Sequence, residues 1–270
     1  MRELERESSF DTPECARLAI VGQGRVGCAL SAALRSATVG RFDVVGPLGR
    51  GAAPTDVDAV LLCVPDGEIA SAAALIERDL AVGHCSGATG LDALAGHPEA
   101  FSLHPLMTVT GDGASFAGAG AAIAGSTPHA LSVARELAEA LGMGPFEVAD
   151  ADRAAYHAAA SIASNFLVTL EAAAERVAES AGVPRDALVP LVRATVENWA
   201  RLGAANALTG PVARGDVETV ARQRAAVAER APELVPVFDA LTDATAALAG
   251  SNADFFPEHG NNHGSLEVVA

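Results

Sequence analysis

Residues 18–29 read LAIVGQGRVGCA. Leu18, Ala19, Ile20 and Val21 form the short unbroken apolar run that a strand buried on both faces requires. Val26, Ala29, Leu30 and Leu34 then recur at helical spacing. Glycines 22, 24 and 27 therefore stand where a strand turns into a helix. In a dinucleotide-binding unit Gly22 permits the tight turn, Gly24 lets the backbone approach a pyrophosphate, and Gly27 lets the helix close on the strand. Gln23, Arg25 and Val26 complete a loop whose free N–H groups and partial positive charge favour phosphate. The alternative is a glycine-rich turn that binds nothing, in a chain with 26 glycines.

Outward from this loop the first half alternates strand and helix patterns. RFDVVG, DAVLLCVP, AVGHCSG, AFSLHPL, AGAAIAG and PFEVA read as strands, with PHALSVARELAEALG as a helix before the last. Such alternation implies a doubly wound, mostly parallel sheet. About ten residues separate the second and third strands, too few for a full helix. From residue 151 only helical patterns follow, so the fold expected is α/β with an all-α C-terminal domain. The expected ranges are 16–150 for the dinucleotide-binding domain and 151–250 for a helical substrate and dimerisation domain. Residues 1–15 and 251–270 read as extensions. His259 and His263 in the tail are spaced for a metal, but that segment has little helix propensity, and no metal site is expected.

Composition narrows the function classes. The formal charge is −16, which argues against nucleic acid and anionic membranes as partners. No stretch is apolar enough to span a bilayer, and no signal peptide precedes the first strand. The four cysteines are scattered, as in a cytoplasmic protein with reduced thiols. All 18 basic residues are arginine, so no lysine can serve as acid, base or Schiff-base nucleophile.

The choice of cofactor turns on the end of the second strand. NAD sites carry an acid there for the ribose 2′-OH, and NADP sites replace it with arginine or small polar groups. Asp43 begins that strand rather than ending it, whereas GPLGRG supplies Arg50. NADP is therefore expected, with Arg50 and Arg25 on the 2′-phosphate and NAD as the alternative. Val64, Pro65, Asp66 and Ser86 follow the third and fourth strands, where the cofactor's nicotinamide would lie.

Two further stretches carry candidate chemistry. In DRAAYHAAASIASNF, His157, Ser161 and Asn165 recur at i, i+4 and i+8, with Ser164 beside them. This polar stripe faces either a substrate or solvent. In SLHPL, His104 follows a strand pattern and precedes a proline, which places it at a strand's carboxyl end, where open α/β sheets bind ligands. A histidine there is a candidate proton donor, with water or Tyr156 as alternatives. Arg214, in the turn LTGPVARGD, is a candidate carboxylate grip; it could equally pair with Asp216 or with a second subunit.

Taken together, VGQGRVG, LLCVPD, HCSGATG, SLHPL, DRAAYHAAASIASNFLVTL and LTGPVARGD resemble the Rossmann-like proteins with a C-terminal DUF2520 domain. More distantly the chain is similar to prephenate dehydrogenases and pyrroline-5-carboxylate reductases. The resemblance implies an NAD(P)-dependent oxidoreductase, dimeric through its helices. It also points to ketopantoate reductases of a second type, distinct from the lysine-using class. Hydride transfer from NADPH to a small 2-oxo acid is the expectation. An imine reductase, a prephenate-type dehydrogenase or a non-catalytic NADP sensor is the alternative.

Overall fold

The computed structural model describes residues 16–37, 42–110 and 114–250. The expected extensions, with His259, His263 and Cys15, lie outside them. Within the described residues the chain divides into two compact units, one through Asn165 and one from Phe166. The sequence pattern changes earlier, at residue 151, because the first turns of the helical region fold with the sheet.

The first unit is a seven-stranded sheet in the order β2-β1-β3-β4-β5-β6-β7. Its strands are β1 (Ala16–Val21), β2 (Phe42–Leu48), β3 (Ala59–Leu62), β4 (Ala81–His84), β5 (Ala100–Leu106), β6 (Gly120–Gly125) and β7 (Gly144–Glu147). The first five run parallel; β6 pairs antiparallel with β5, and β7 parallel with β6. No helix joins β2 to β3, as their short spacing requires.

The pleat sends alternate residues to opposite faces. Leu18 and Ile20 pack with Leu61, Phe101 and Ile123 beneath α1 (Arg25–Ser36) and α3 (Pro128–Ala140). Ala19 and Val21 pack with Val60, Leu62 and Val82 beneath α2 (Ile69–Ala73). Full burial of each large aliphatic side chain contributes ~1.5–3 kcal/mol. Helix α3 starts sharply because Thr127 accepts the Ala130 N–H at 3.0 Å and Pro128 fills the first turn.

The chain then enters α4 (Arg153–Ser161), which passes into one turn of π-helix at Ile162–Phe166. The second unit continues with α5 (Leu167–Ser180), α6 (Arg185–Leu202), α7 (Ala204–Ala207), α8 (Val217–Arg230) and α9 (Val235–Gly250). Asp216 caps α8 by accepting the Thr219 N–H at 3.1 Å. Arg224 grips Asp239 of α9 through two bonds of 2.7 and 2.8 Å. Among the described residues of this unit only Val227 and Ala231 are buried, while Leu191, Trp199 and Val217 are 65%, 59% and 75% exposed. No helix among the described residues is long and apolar enough to cross a membrane.

Candidate active site

The sheet order reverses between β1 and β3, and the glycine loop crosses that point. Gly22 has φ +123°, and a Cβ there would run into the Cys63 carbonyl at the end of β3; a Cβ on Gly27 would strike the Gly22 carbonyl. The close approach forces glycine at both positions. Gly24 differs: its φ is −74°, and an added Cβ would meet no atom within 4 Å. The first intrahelical bond of α1 runs from the Cys28 N–H to the Gly24 carbonyl at 3.0 Å. The amides of Arg25, Val26 and Gly27 thus have no acceptor within the helix. A shallow cradle of N–H groups facing open space fits a pyrophosphate.

Asp43 lies at the far end of β2, paired in register with Arg17 and bonded to its Nε at 3.3 Å. That is the end opposite the loop. Arg50 follows β2 at the loop end, 70% exposed and 2.9 Å from Glu68. Such an exposed pair is held weakly. Val64 packs at the edge of the core beneath α2. Pro65 begins a short 3-10 turn that carries Asp66. Ser86 donates to Asp66 Oδ2 at 2.8 Å and accepts from the amides of Ala88 and Thr89. Its hydroxyl thus shapes the 86–90 loop instead of projecting from it.

A cavity of about 700 Å³ opens beside this loop, lined by Arg25, His104, Tyr156, His157, Ser161, Ser164 and Asn165, with apolar residues and two threonines completing the wall. A small adjoining hollow shares Arg25 and His104 and reaches Val26 and Cys85. The structure thus brings the stripe, His104 and one residue of the glycine loop to one wall. A slightly larger hollow of about 780 Å³, between α1 and α3, has alanine at half of its lining positions, with Glu136 and Glu139 on one side.

The stripe is not the uniform α-helical face that i, i+4, i+8 spacing implies. The wider π turn begins after Ser161, so Ser164 and Asn165 reach the cavity from a different winding.

His104 lies inside β5, two residues before its end. Its Nδ1 is 2.6 Å from the Tyr156 hydroxyl, and the His157 ring centroid is 6.3 Å from its own. Burial lowers the His104 pKa to about 4, helped by His157 and Arg153. At neutral pH its ring is uncharged. Burial pushes the Tyr156 hydroxyl up, so that group is protonated. His84 is lowered, chiefly by burial, and buttresses the 86–90 loop: its Nδ1 accepts the Ser86 N–H at 3.2 Å, and its Nε2 is 3.2 Å from the Gly90 carbonyl.

Arg153, which the sequence pattern did not single out, is 2% exposed and bonds to Asp150, Ser86 and Ser102. One signal was present: a cation in the first turn of a helix opposes the helix dipole and needs a reason. Arg214 sits in the second unit, in the turn before α8, where its amide is 3.2 Å from the Pro211 carbonyl.

Comparison with known proteins agrees with this architecture. Residues 119–245 match a family described as a domain of unknown function, DUF2520. The match spans just under half of the chain, and that region is similar to the DUF2520 family. The DUF2520 region takes in β6, β7 and nearly all the helices that follow. No curated protein matches the chain. Among solved structures, a Bacteroides fragilis protein provisionally named an NADP oxidoreductase aligns at a TM-score of 0.71 with 18% identity, covering 86% of this chain and 98% of that one. Protein TM1727 of Thermotoga maritima aligns at 0.71 with 24% identity, covering 87% and 100%. A reductive aminase of Aspergillus terreus, in complex with NADPH and ethyl-5-oxohexanoate, aligns at 0.61 with 14% identity, covering 84% and 92%. At these identities the likeness speaks for the fold.

Proposed function

We propose that this protein is an NADP-dependent reductase acting on a small carbonyl or imine, with 2-oxo acids as the favoured class and ketopantoate as the first compound to test. The observation that carries the reading is the cavity at the strand ends, where an uncharged His104 joined to Tyr156 shares a wall with the glycine loop. NADPH, when bound, would supply the hydride. The amides at the start of α1 would hold its pyrophosphate, and Arg50 would leave Glu68 for the 2′-phosphate. Pro65, Asp66 and Ser86 would hold the nicotinamide end.

The remaining chemistry belongs to the protein. Hydride addition at the carbonyl carbon leaves charge on the oxygen, which must be stabilised and then protonated. His104 stabilises it as a neutral hydrogen-bond donor; as Nε2 gives its proton to the oxygen, Nδ1 takes the Tyr156 proton, and solvent reprotonates the phenolate. The Tyr156 O–H donates to Nδ1, which leaves the imidazole proton on Nε2, free for the substrate oxygen. His157, Ser161, Ser164 and Asn165 orient the substrate by hydrogen bonds. Arg25, whose side chain makes no ion pair or hydrogen bond among the described residues, holds the carboxylate.

We also infer a homodimer built through the helical unit, because only Val227 and Ala231 are buried among its described residues while Leu191, Trp199 and Val217 stay exposed. A cytoplasmic setting fits the unbridged Cys63 and Cys85 thiols, 3.6 Å apart.

The test is a panel of 2-oxo acids and cyclic imines assayed by loss of NADPH absorbance. Saturable turnover on any member supports a reductase. Tight NADPH binding with no turnover on the whole panel favours a sensor. His104→Gln should lower kcat on the true substrate by about 10²–10⁴-fold. His157→Gln and Asn165→Ala should act mainly on KM. Because His104 is uncharged, no acid-to-neutral transition of that residue should appear in kcat between about pH 6 and 8.

A further inference from the structure

Arg153 is the largest fully buried side chain among the described residues, and no step above uses it. A guanidinium keeps its proton in a protein, so its burial is tolerated only with well-placed partners. Those partners lie on three separate elements. Its Nε donates to Asp150 Oδ1 at 2.7 Å, at the entry to α4. Its Nη1 donates to the Ser86 carbonyl at 3.4 Å, in the loop after β4, and its Nη2 donates to Ser102 Oγ on β5. Asp150 Oδ2 in turn accepts the Leu91 N–H at 3.0 Å. The loop after β4 is therefore fastened at both ends.

Each anchor adjoins a wall of His104. Ser102 lies two residues before it on β5, and so on the same face of the sheet. Ser86 precedes Gly87, where an added Cβ would come within 2.8 Å of the His104 ring. Tyr156 and His157 follow Arg153 at i+3 and i+4 on α4, and so share its helix face; both contact the His104 ring.

We propose that Arg153 is the positioning residue of this cavity, a buried fork that locks β5, the 86–90 loop and α4 into one register and so fixes the His104 ring between Gly87 and Tyr156. Its charge has a second consequence. The groups that act on His104 are Arg153, Tyr156 and His157 from α4, His84 from β4 and Asp66 after β3. Arg153 and the two histidines oppose a charge on the ring, and Asp66 favours one. Arg153 is the only one of these whose positive charge is permanent. Burial is the larger cause of the ring's neutrality, and the Arg153 charge adds to it whatever the state of the other rings.

This inference rests on the reading of the cavity as the reaction site, but its test needs no turnover. The His104 imidazole is followed by proton–carbon NMR across pH in the full-length protein, with its signal assigned by His104→Gln. Arg153→Gln keeps a hydrogen-bonding amide and removes the charge; Arg153→Lys keeps the charge and removes the fork. The glutamine variant should raise the His104 proton affinity about threefold or more, and the lysine variant should hold the wild-type value more closely. An unmoved titration point in folded R153Q overturns the proposal. Should R153Q fail to fold, Asp150→Asn decides, since it leaves Arg153 without its counter-ion. His104 must then titrate at the same point or lower, and a higher point overturns the proposal. A wild-type protein with no reductase activity would sink the functional reading and leave this titration result standing.

Discussion

In the sheet unit Leu18, Ile20, Leu61 and Phe101 are fully withdrawn from water, whereas in the helical unit Leu191, Trp199 and Val217 keep most of their surface in it. Both regions are written with the same alanine- and valine-rich vocabulary. The difference lies in what each apolar stripe finds opposite it. A strand of the sheet has neighbours on two edges and helices on two faces, all from the same chain. The helices after Phe166 are joined by exposed ion pairs such as Arg224–Asp239 and Arg176–Glu233, which contribute little to stability. A unit built this way leaves apolar side chains that a second copy of the chain would cover under the proposed dimer.

The largest effect is expected at the uncovered helices. In a symmetric pair each substitution counts twice. Losing one apolar contact of ~1.5–3 kcal/mol per copy would weaken association by about 10²–10⁴-fold. Leu191→Arg and Trp199→Asp should each shift the mass seen by light scattering toward 27.2 kDa, from about twice that value in the wild type. A wild-type mass of 27.2 kDa would break the comparison outright.

Next comes the glycine loop, where two neighbouring glycines should fail differently. Gly22→Ala puts a Cβ into the Cys63 carbonyl at a positive φ and should destabilise the sheet unit by several kcal/mol, or about 2–4, read as a lower melting temperature. Gly24→Val meets no protein atom, so the fold should survive while NADPH affinity, measured by calorimetry, falls at least about a hundredfold. Normal affinity in folded Gly24→Val would remove the phosphate cradle from consideration.

A third effect is the pH dependence of the sheet unit. His104 binds its proton near pH 4 when folded and near 6.5 when unfolded. Between those values the unfolded chain holds more protons, so stability falls as pH drops from about 6.5 to 4 and is level outside that window. The loss attributable to His104 is at most ~3 kcal/mol, at 1.36 kcal/mol per unit. His104→Gln should flatten that segment of a urea-denaturation series, and an unchanged slope would show the ring to be solvated.

The smallest effect falls on cofactor choice. A charged contact to the 2′-phosphate is worth ~1.5–3 kcal/mol, about ten- to a hundredfold. Arg50→Ala should erase most of a preference for NADPH over NADH. If the wild type prefers NADH, Arg50 is only Glu68's partner.

The two regions also differed in how much of them could be read beforehand. Strands β1 to β7 follow from apolar runs of four to seven residues bounded by glycine and proline, a signal carried by near neighbours in sequence. The glycine loop was legible for the same reason. His104 and the stripe could be named as polar residues in apolar settings, but their meeting across 52 residues could not. Nor could the π turn, since Ile162–Phe166 has no proline or glycine to announce it. Arg153 was hidden by its context: DADRAAYH reads as an acidic helix start with its charges in water, and only the tertiary structure shows one of them enclosed. The unit boundary moved from residue 150 to 165 because compactness follows packing, while periodicity follows winding.

The chain holds one tyrosine and one tryptophan, and each stands in a different unit. Tyr156 touches His104 in the cavity, and Trp199 lies on an uncovered helix. The protein thus carries two built-in optical probes that do not overlap in place. Ultraviolet difference absorbance at high pH reports the ionisation of a single phenol hydrogen-bonded to a single imidazole. The emission maximum of the indole reports whether its helix face is wet or covered. Cavity occupancy and the covering of that helix face can therefore be watched separately in the unlabelled wild-type chain.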